Sequence, residues 1–411
     1  MENSRYKVHF FPVDITVEIE KGKTILDAAY KGDLFINALC GGDGTCGKCK
    51  VVLGSGMIES MPTSHISVSE AQKGYVLACS TKVIGDLEVI IPEESKLDKS
   101  QILVSDFPQF SGSLAAATSK VEHFKQDPLV NKIYLELPLP SLDDSMADYE
   151  RLCREIMVKA DIPLEKITTN FDVLKRLPGI LRSSDWKVTA TLGYRGPSVE
   201  IIEIQGGNVS DGNYGVAVDV GTTTVVAHLL NLSRGETIDI EATYNSQIKY
   251  GDDYIQRIIY AAQNNAMALM QEVLVEDINH LISTLIKRNH ISIHDVSAVV
   301  CAGNTVMTHF LIGLDPTNIR KEPYLPAASF VPPLKACDVG IKINNNGLLY
   351  TLPGVGAYVG GDISSGALAI RLDKADMLSL LIDIGTNGEI VLGNKDWMVC
   401  CSASAGPSFE G

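Results

Sequence analysis

The chain has 411 residues, with 35 Lys+Arg against 50 Asp+Glu, a formal net charge of −15 and a pI near 5.0. That surplus of acid argues against a nucleic-acid or anionic-membrane binder, because both need positive potential facing phosphate, and no Lys/Arg run offsets it locally. Hydrophobic residues at 45% and charged residues at 21% make a globular mixture, and the length predicts two or three domains. The opening MENSRYKVHFF lacks the charged and then apolar regions of a signal peptide, and no apolar run reaches the ~18 residues of a membrane span. A cytoplasmic location is expected, where nine cysteines serve as ligands or buried thiols rather than disulfides.

In chain order, KVHFFP and ITVEIE alternate as strands, Lys21-Gly22-Lys23 closes the second, and Thr24 opens a short helix in TILDAAYKGD. A glycine-rich loop over residues 41–47 leads into the strand KVVLGSG, and LEVIIP completes a module over residues 1–95. Residues 96–126 lose periodicity and read as a linker. Residues 127–208 hold strand patterns NKIYLELPLP, KVTATLGY and SVEIIEIQ around the helical ADYERLCREIMVKAD, a small α+β domain. Residues 213–375 alternate strands and helices as an α/β lobe, and residues 378–411 begin another. Within the lobe, residues 252–288 carry apolar positions at near-helical spacing and predict one long helix, while SAVVCAG feeds a helix starting at NTVMTHFLIG. The expected class is multidomain, α/β and α+β.

Cys40, Cys46 and Cys49 form C-x5-C-x2-C in one short loop, with Cys79 further on. Three thiolates there and a fourth from a distant strand suit a two-iron cluster, and Gly41, Gly42, Gly44 and Gly47 let the backbone aim N–H groups at the sulfurs. A four-cysteine zinc site is the competing reading, although such sites usually pair two C-x2-C knuckles and Cys79 stands alone.

A self-comparison finds a second constellation. Asp219-Val220-Gly221-Thr222-Thr223-Thr224 resembles Asp383-Ile384-Gly385-Thr386-Asn387-Gly388, each between two apolar strands. Each predicts a hairpin whose small-residue turn admits polyphosphate: glycine permits close approach, threonine hydroxyls and N–H groups meet phosphate oxygens, and the aspartate holds Mg²⁺ through water. No P-loop motif is present. The plain alternative is two ordinary hairpins with acidic turns.

The cysteine segment resembles a [2Fe–2S] ferredoxin domain of the β-grasp type. The paired hairpins resemble the two phosphate motifs of the actin-like (ribonuclease H-like) ATPase superfamily. Cys301-Ala302-Gly303-Asn304 is similar to that superfamily's connecting motif, and Gly360-Gly361-Asp362 to its small-residue helix start. With a middle domain between, the whole is similar to the reductive activators of corrinoid proteins. The resemblance implies a [2Fe–2S] cluster on the four cysteines, with ATP and Mg²⁺ held by Asp219, Gly221, Thr222–Thr224, Gly303, Asn304, Gly360, Gly361, Asp383, Gly385, Thr386, Asn387 and Gly388. Asp219, Asp383 or Asp362 orients the attacking water. It implies a corrinoid protein as partner, reduced from Co(II) to Co(I) by one electron, an unidentified low-potential donor, and neither nucleic acid nor membrane; a homodimer is compatible with it.

Only 411 − 383 = 28 residues follow Asp383, so the second lobe is expected to be incomplete and the chain a fragment of a longer protein. Two other readings stand beside this one: a plain [2Fe–2S] electron carrier whose actin-like region serves for docking or dimerisation, and a small-molecule kinase, which leaves the cysteines unexplained. Several other residues have bland readings. His290 and His294 flank an expected strand. Cys153, Cys301, Cys400 and Cys401 are expected to pack in cores. Asp143-Asp144 and Asp252-Asp253 are expected in solvated turns or helix N-termini.

Overall fold

The computed structural model describes residues 5–32, 34, 36–38, 44, 47–61, 63–92, 95, 127–251, 253–385 and 388–403. Cys40, Cys46, Gly41, Gly42, Thr386, Asn387, Asp252 and the linker at 96–126 lie outside them. The chain forms two compact units. One takes the described residues up to 95 together with Gln247–Tyr260; the other takes those of 127–246 and 261–403.

The first unit is built on strands β1 (Arg5–Phe11), β2 (Ile15–Glu20), β3 (Lys50–Ser60), β4 (Tyr75–Leu77) and β5 (Thr81–Ile90), in the sheet order β2-β1-β5-β3-β4. β1 pairs β5 in parallel and β2 antiparallel, the expected β-grasp arrangement. Helix α1 (Ile25–Lys31) begins at Thr24, whose hydroxyl accepts from Asp27 N while the Asp27 carboxylate accepts from Thr24 N. The helix buries Ile25, Leu26, Ala28 and Ala29 against Val8, Phe10, Val17 and Val89. A short helix α2 (Val68–Gln72), absent from the sequence expectation, opens with the same reciprocal cap at Ser67 and Glu70.

In the second unit, β6 (Val130–Glu136), β7 (Ile167–Thr169), β8 (Lys187–Arg195) and β9 (Ser198–Gly206) form a sheet ordered β6-β8-β9-β7. Helices α3 (Asp148–Ala160) and α4 (Phe171–Ser183) pack on it through Leu152, Ile156, Val173, Leu177 and Leu181. Arg151 is fully buried. It donates to the carbonyls of Pro138, Asp144 and Met146 and to the Asp144 carboxylate, and lies over the Trp186 ring. Asp144, expected in a solvated turn or at a helix N-terminus, keeps 33% of its side chain exposed and in addition pairs with Arg151.

The same unit continues into β10 (Tyr214–Val220), β11 (Thr224–Asn231), β12 (Glu236–Tyr244), β13 (Val296–Gly303), β14 (Leu334–Lys335) and β15 (Leu348–Thr351), ordered β12-β11-β10-β13-β15-β14. Three antiparallel strands lead to parallel β10, β13 and β15, the actin-like pattern. This sheet and the preceding domain are joined by a shared core of Val130, Ile202, Ala298 and Leu348. Lys132, its side chain 1% exposed, donates to Asp295 at 2.8 Å and to the Gly212 carbonyl at 2.7 Å.

Residues 252–288 form two helices, α5 (Tyr254–Gln263) and α6 (Met267–Arg288), rather than one. Asn265 between them is left-handed (φ 52°), which asparagine tolerates better than most residues because its side chain can bond locally. His294 sits in a 3-10 turn (Ile293–Asp295), so the expected strand between the two histidines does not form. Helix α7 (Thr305–Ile312) follows β13, and α8 (Gly361–Ala369) begins at the Gly-Gly-Asp sequence. Strands β16 (Ser379–Ile384), β17 (Gly388–Gly393) and β18 (Met398–Ala403) make an antiparallel sheet. One face carries Leu381, Val391 and Cys400 against Ile363 and Leu372. Cys401, on the other face, is exposed, contrary to its expected packing. Cys153 and Cys301 are buried as expected.

Candidate functional site

The cluster region is set by strand register. Lys50 pairs with Leu77 across β3 and β4, so the residue before β3 and the one two beyond β4 meet. Ala78 N donates to the Cys49 carbonyl at 2.8 Å, and the Cys49 and Cys79 sulfurs lie 3.2 Å apart. Both cysteines are buried, and that separation is far beyond a disulfide bond of about 2.05 Å. The Cys79 side chain, outweighing the cost of burial, holds the Cys49 thiol down to about 7, so a thiolate forms readily. Two buried thiols converging this closely fit the two protein ligands of one iron. Gly44 and Gly47 both have positive φ, and a Cβ on Gly47 would meet the His65 ring at 2.7 Å.

The second site lies in the other unit. β10 and β11 form the predicted hairpin, with Val220 opposite Val225. The turn packs against the start of α7: Asn304 caps that helix by accepting from Met307 N at 2.9 Å, and its Nδ2 donates to Thr222 Oγ1 at 3.0 Å. Four glycines leave no room for a side chain. A Cβ on Gly221 would come within 2.6 Å of the Thr224 carbonyl oxygen, and one on Gly303 within 2.7 Å of that of Val220. On Gly360 it would lie 2.5 Å from Asn304 Cα, and on Gly361 2.5 Å from the Leu352 carbonyl oxygen. The three motifs separated in sequence are thus in backbone contact.

Asp219 ends β10 in this cluster. Its side chain reaches water, yet desolvation by the surrounding protein, with Asp362 and Asp383 within electrostatic reach, pushes its carboxyl up to about 6. Asp362 and Asp383 are raised too, chiefly by desolvation. Repelling carboxylates within electrostatic reach of one another fit a cation. Among the described residues no three His, Cys, Asp or Glu side chains stand close enough to ligate one ion directly. Gly385 and Gly388 flank the second turn; Thr386 and Asn387 lie outside the described residues.

Two residues escaped the sequence reading. Glu389 stands directly across from Asp383 on β17, is buried, and accepts from Ser402 Oγ at 3.2 Å. Burial, with Asp362 and Asp383 nearby, pushes it up to about 7. Its place beside Gly388 in the second motif was the available signal. Asn245, fully buried after β12, donates from Nδ2 to the Gly221 carbonyl at 2.9 Å and from its backbone N–H to the Thr223 carbonyl at 2.8 Å. No local pattern marks it.

Comparison with known families matches residues 8–83 to the 2Fe–2S iron–sulfur cluster binding domain, which decides against the zinc reading. Residues 119–211 match the RACo linker region, 214–375 the RACo middle region, and 377–411 the C-terminal domain of RACo, the ASKHA domain. From residue 119 onward the chain is thus similar to successive RACo regions. It is 28% identical over 410 residues to the corrinoid activation enzyme RamQ of Eubacterium limosum, covering 98% of this chain and 62% of that protein. A solved structure of a reductive activator for corrinoid, iron–sulfur protein aligns over 99% of this chain and 64% of its own length, at 39% identity and a TM-score of 0.67. The chain therefore spans just under two thirds of these relatives. The first module alone is 43% identical over 93 residues to a component of the Na⁺-translocating NADH-quinone reductase of Haemophilus ducreyi, covering 20% of this chain and 23% of that protein. Among the described residues no helix is long and apolar enough to cross a membrane.

Proposed function

We propose that this chain carries out the ATP-dependent reductive activation of a corrinoid protein, in which one electron from a reduced [2Fe–2S] cluster converts Co(II) to Co(I) on the partner. The names of the two relatives that align with nearly all of this chain support the corrinoid partner and the reductive direction. The ASKHA match supports ATP as the energy source. The observation that carries the reading is the convergence of Asp219, Asp362 and Asp383 around a glycine-walled turn, in a chain that also has a [2Fe–2S] module.

We assign residues 1–95 to the ferredoxin domain, 127–208 to a middle domain, 213–375 to the first ATPase lobe and 378–411 to the start of the second, with 96–126 as linker. The cluster supplies one-electron chemistry when bound, and Cys40, Cys46, Cys49 and Cys79 are its assigned ligands. Gly221 and Thr222–Thr224 receive the phosphates on one side, and Gly385, Thr386, Asn387 and Gly388 on the other. Gly303, Asn304, Gly360 and Gly361 keep the walls at backbone distance. Asp219, Asp362 and Asp383 bind the hydrated cation and orient the attacking water.

The test is the absorbance change from Co(II) to Co(I) in a corrinoid protein mixed anaerobically with this chain and a reductant. Reaction with ATP, and none with a non-hydrolysable analogue or without nucleotide, is the expected result. Reduction indifferent to nucleotide replaces this reading with that of a plain electron carrier.

A further inference from the structure

The turn between β10 and β11 can receive phosphate only if its peptide N–H groups face the ligand, so its carbonyls must be held the other way. Two of those carbonyls, of Gly221 and Thr223, are taken by a single residue. Asn245 donates to the first from Nδ2 at 2.9 Å and to the second from its backbone N–H at 2.8 Å. Because a trans peptide points its C=O and N–H in opposite directions, these bonds aim the N–H groups of Thr222 and Thr224 away from Asn245. Asn245 is itself fixed. It is fully buried, its Nδ2 also lies 3.7 Å from Met307 Sδ on α7, and the next residue is clamped to α6. That clamp runs from Ser246 N to Asp277 Oδ2 at 2.8 Å and from Ser246 Oγ to Asp277 Oδ1 at 2.7 Å.

We infer that Asn245 is the positioning residue of the first phosphate turn, setting its peptide orientation for a nucleotide triphosphate without touching the ligand. This rests on the nucleotide reading above and adds a residue to it. An asparagine is required because the donor must come from a short side chain whose backbone already bonds the same turn. Without the Nδ2 donor the Gly221 peptide is free to turn its carbonyl toward the ligand, and the expected effect is roughly tenfold weaker binding, about 1.4 kcal/mol.

The experiment is calorimetric titration of MgATP into the full chain, its Asn245→Ala variant and its Asn245→Leu variant, the second keeping the branched side-chain shape without a donor. Gln271→Ala serves as comparison, since it removes a bond from α6 to the Leu311 carbonyl in the same lobe without touching the turn. The expected result is roughly tenfold weaker MgATP binding in both Asn245 variants and unchanged binding in Gln271→Ala, with near-ultraviolet circular dichroism preserved in all three. Wild-type affinity in the Asn245 variants, or an equal loss in Gln271→Ala, overturns the inference. Absence of MgATP binding by the unaltered chain overturns the nucleotide reading and the inference with it. If the variants do not fold, the Asn245 side-chain amide resonance of the unaltered protein decides. A shift on adding MgATP supports the role, and indifference to it overturns the role.

Discussion

Asp219 combines a carboxyl raised to about 6, chiefly by desolvation, with two further carboxylates in reach, so the three groups repel one another. Asp219→Asn should therefore raise the melting temperature at pH 8 while cutting ATP-dependent cobalt reduction by about a hundredfold or more. Parallel melting curves and reduction assays check both halves, and a variant that keeps its rate would remove Asp219 from the chemistry. His309 makes a different pH prediction. It is buried on α7, with Nδ1 2.6 Å from the Thr305 carbonyl and Nε2 accepting from Ala327 N at 3.0 Å. That pattern requires the neutral ring, and burial lowers its pKa below the ordinary 6.5 despite Asp315 nearby. Since the folded value lies below the unfolded one, this stabilisation is complete above 6.5 and is lost as pH falls through the lowered folded value. Denaturant titrations should show the stability gap between the unaltered protein and His309→Gln narrowing as pH drops from 7 to 5. A gap constant across that range would refute the neutral-ring role.

At the scale of elements, the contact between the middle domain and the actin-like sheet rests on Lys132, which has almost no access to water while its partner Asp295 has some. Lys132→Met should cost about 2 kcal/mol, below the roughly 3–5 of a fully buried broken pair, as read by urea denaturation. A neutral result would assign the junction to the apolar contacts of Val130, Ile202, Ala298 and Leu348 alone. The hairpins, α1, α3 and α7 were legible because each carries its own signal, whether alternation, a cap or an apolar stripe. Helix α4 was not read, and its Pro178 argues locally against the helix that tertiary packing of Val173, Leu177 and Leu181 imposes. The break at Asn265 was missed for the opposite reason: apolar spacing continues across it although the backbone does not. Glu389 was hidden because its meaning depends on the residue across the strand, and Asn245 because its partners lie more than twenty residues earlier.

At the scale of the whole molecule, the cysteines and the carboxylates belong to separate compact units, so the two chemistries should be separable by mutation. Cys79→Ser should abolish the visible absorbance of the reconstituted cluster and leave MgATP binding intact. Asp219→Asn should leave that absorbance unchanged. Loss of nucleotide binding in Cys79→Ser would mean that the units depend on each other for folding. The fold class was legible from cysteine spacing and from the duplicated Asp-Gly-Thr pattern, since both are local signatures; that Gln247–Tyr260 belong with the first unit was not. The join between the middle domain and the first lobe was not, because Val130 and Leu348 are apolar residues like any other until the chain brings them together.

The four glycines packed around the β10–β11 turn put a limit on how this protein can be interrogated. Alanine replacement is ordinarily read as deletion of a function, but at Gly221, Gly303, Gly360 and Gly361 it is an insertion into space already filled by carbonyl oxygen or Cα. A systematic alanine survey would flag these positions although a glycine has no side chain to lose. What the survey would detect there is a missing methyl group, on whose absence the approach of three distant stretches of chain depends.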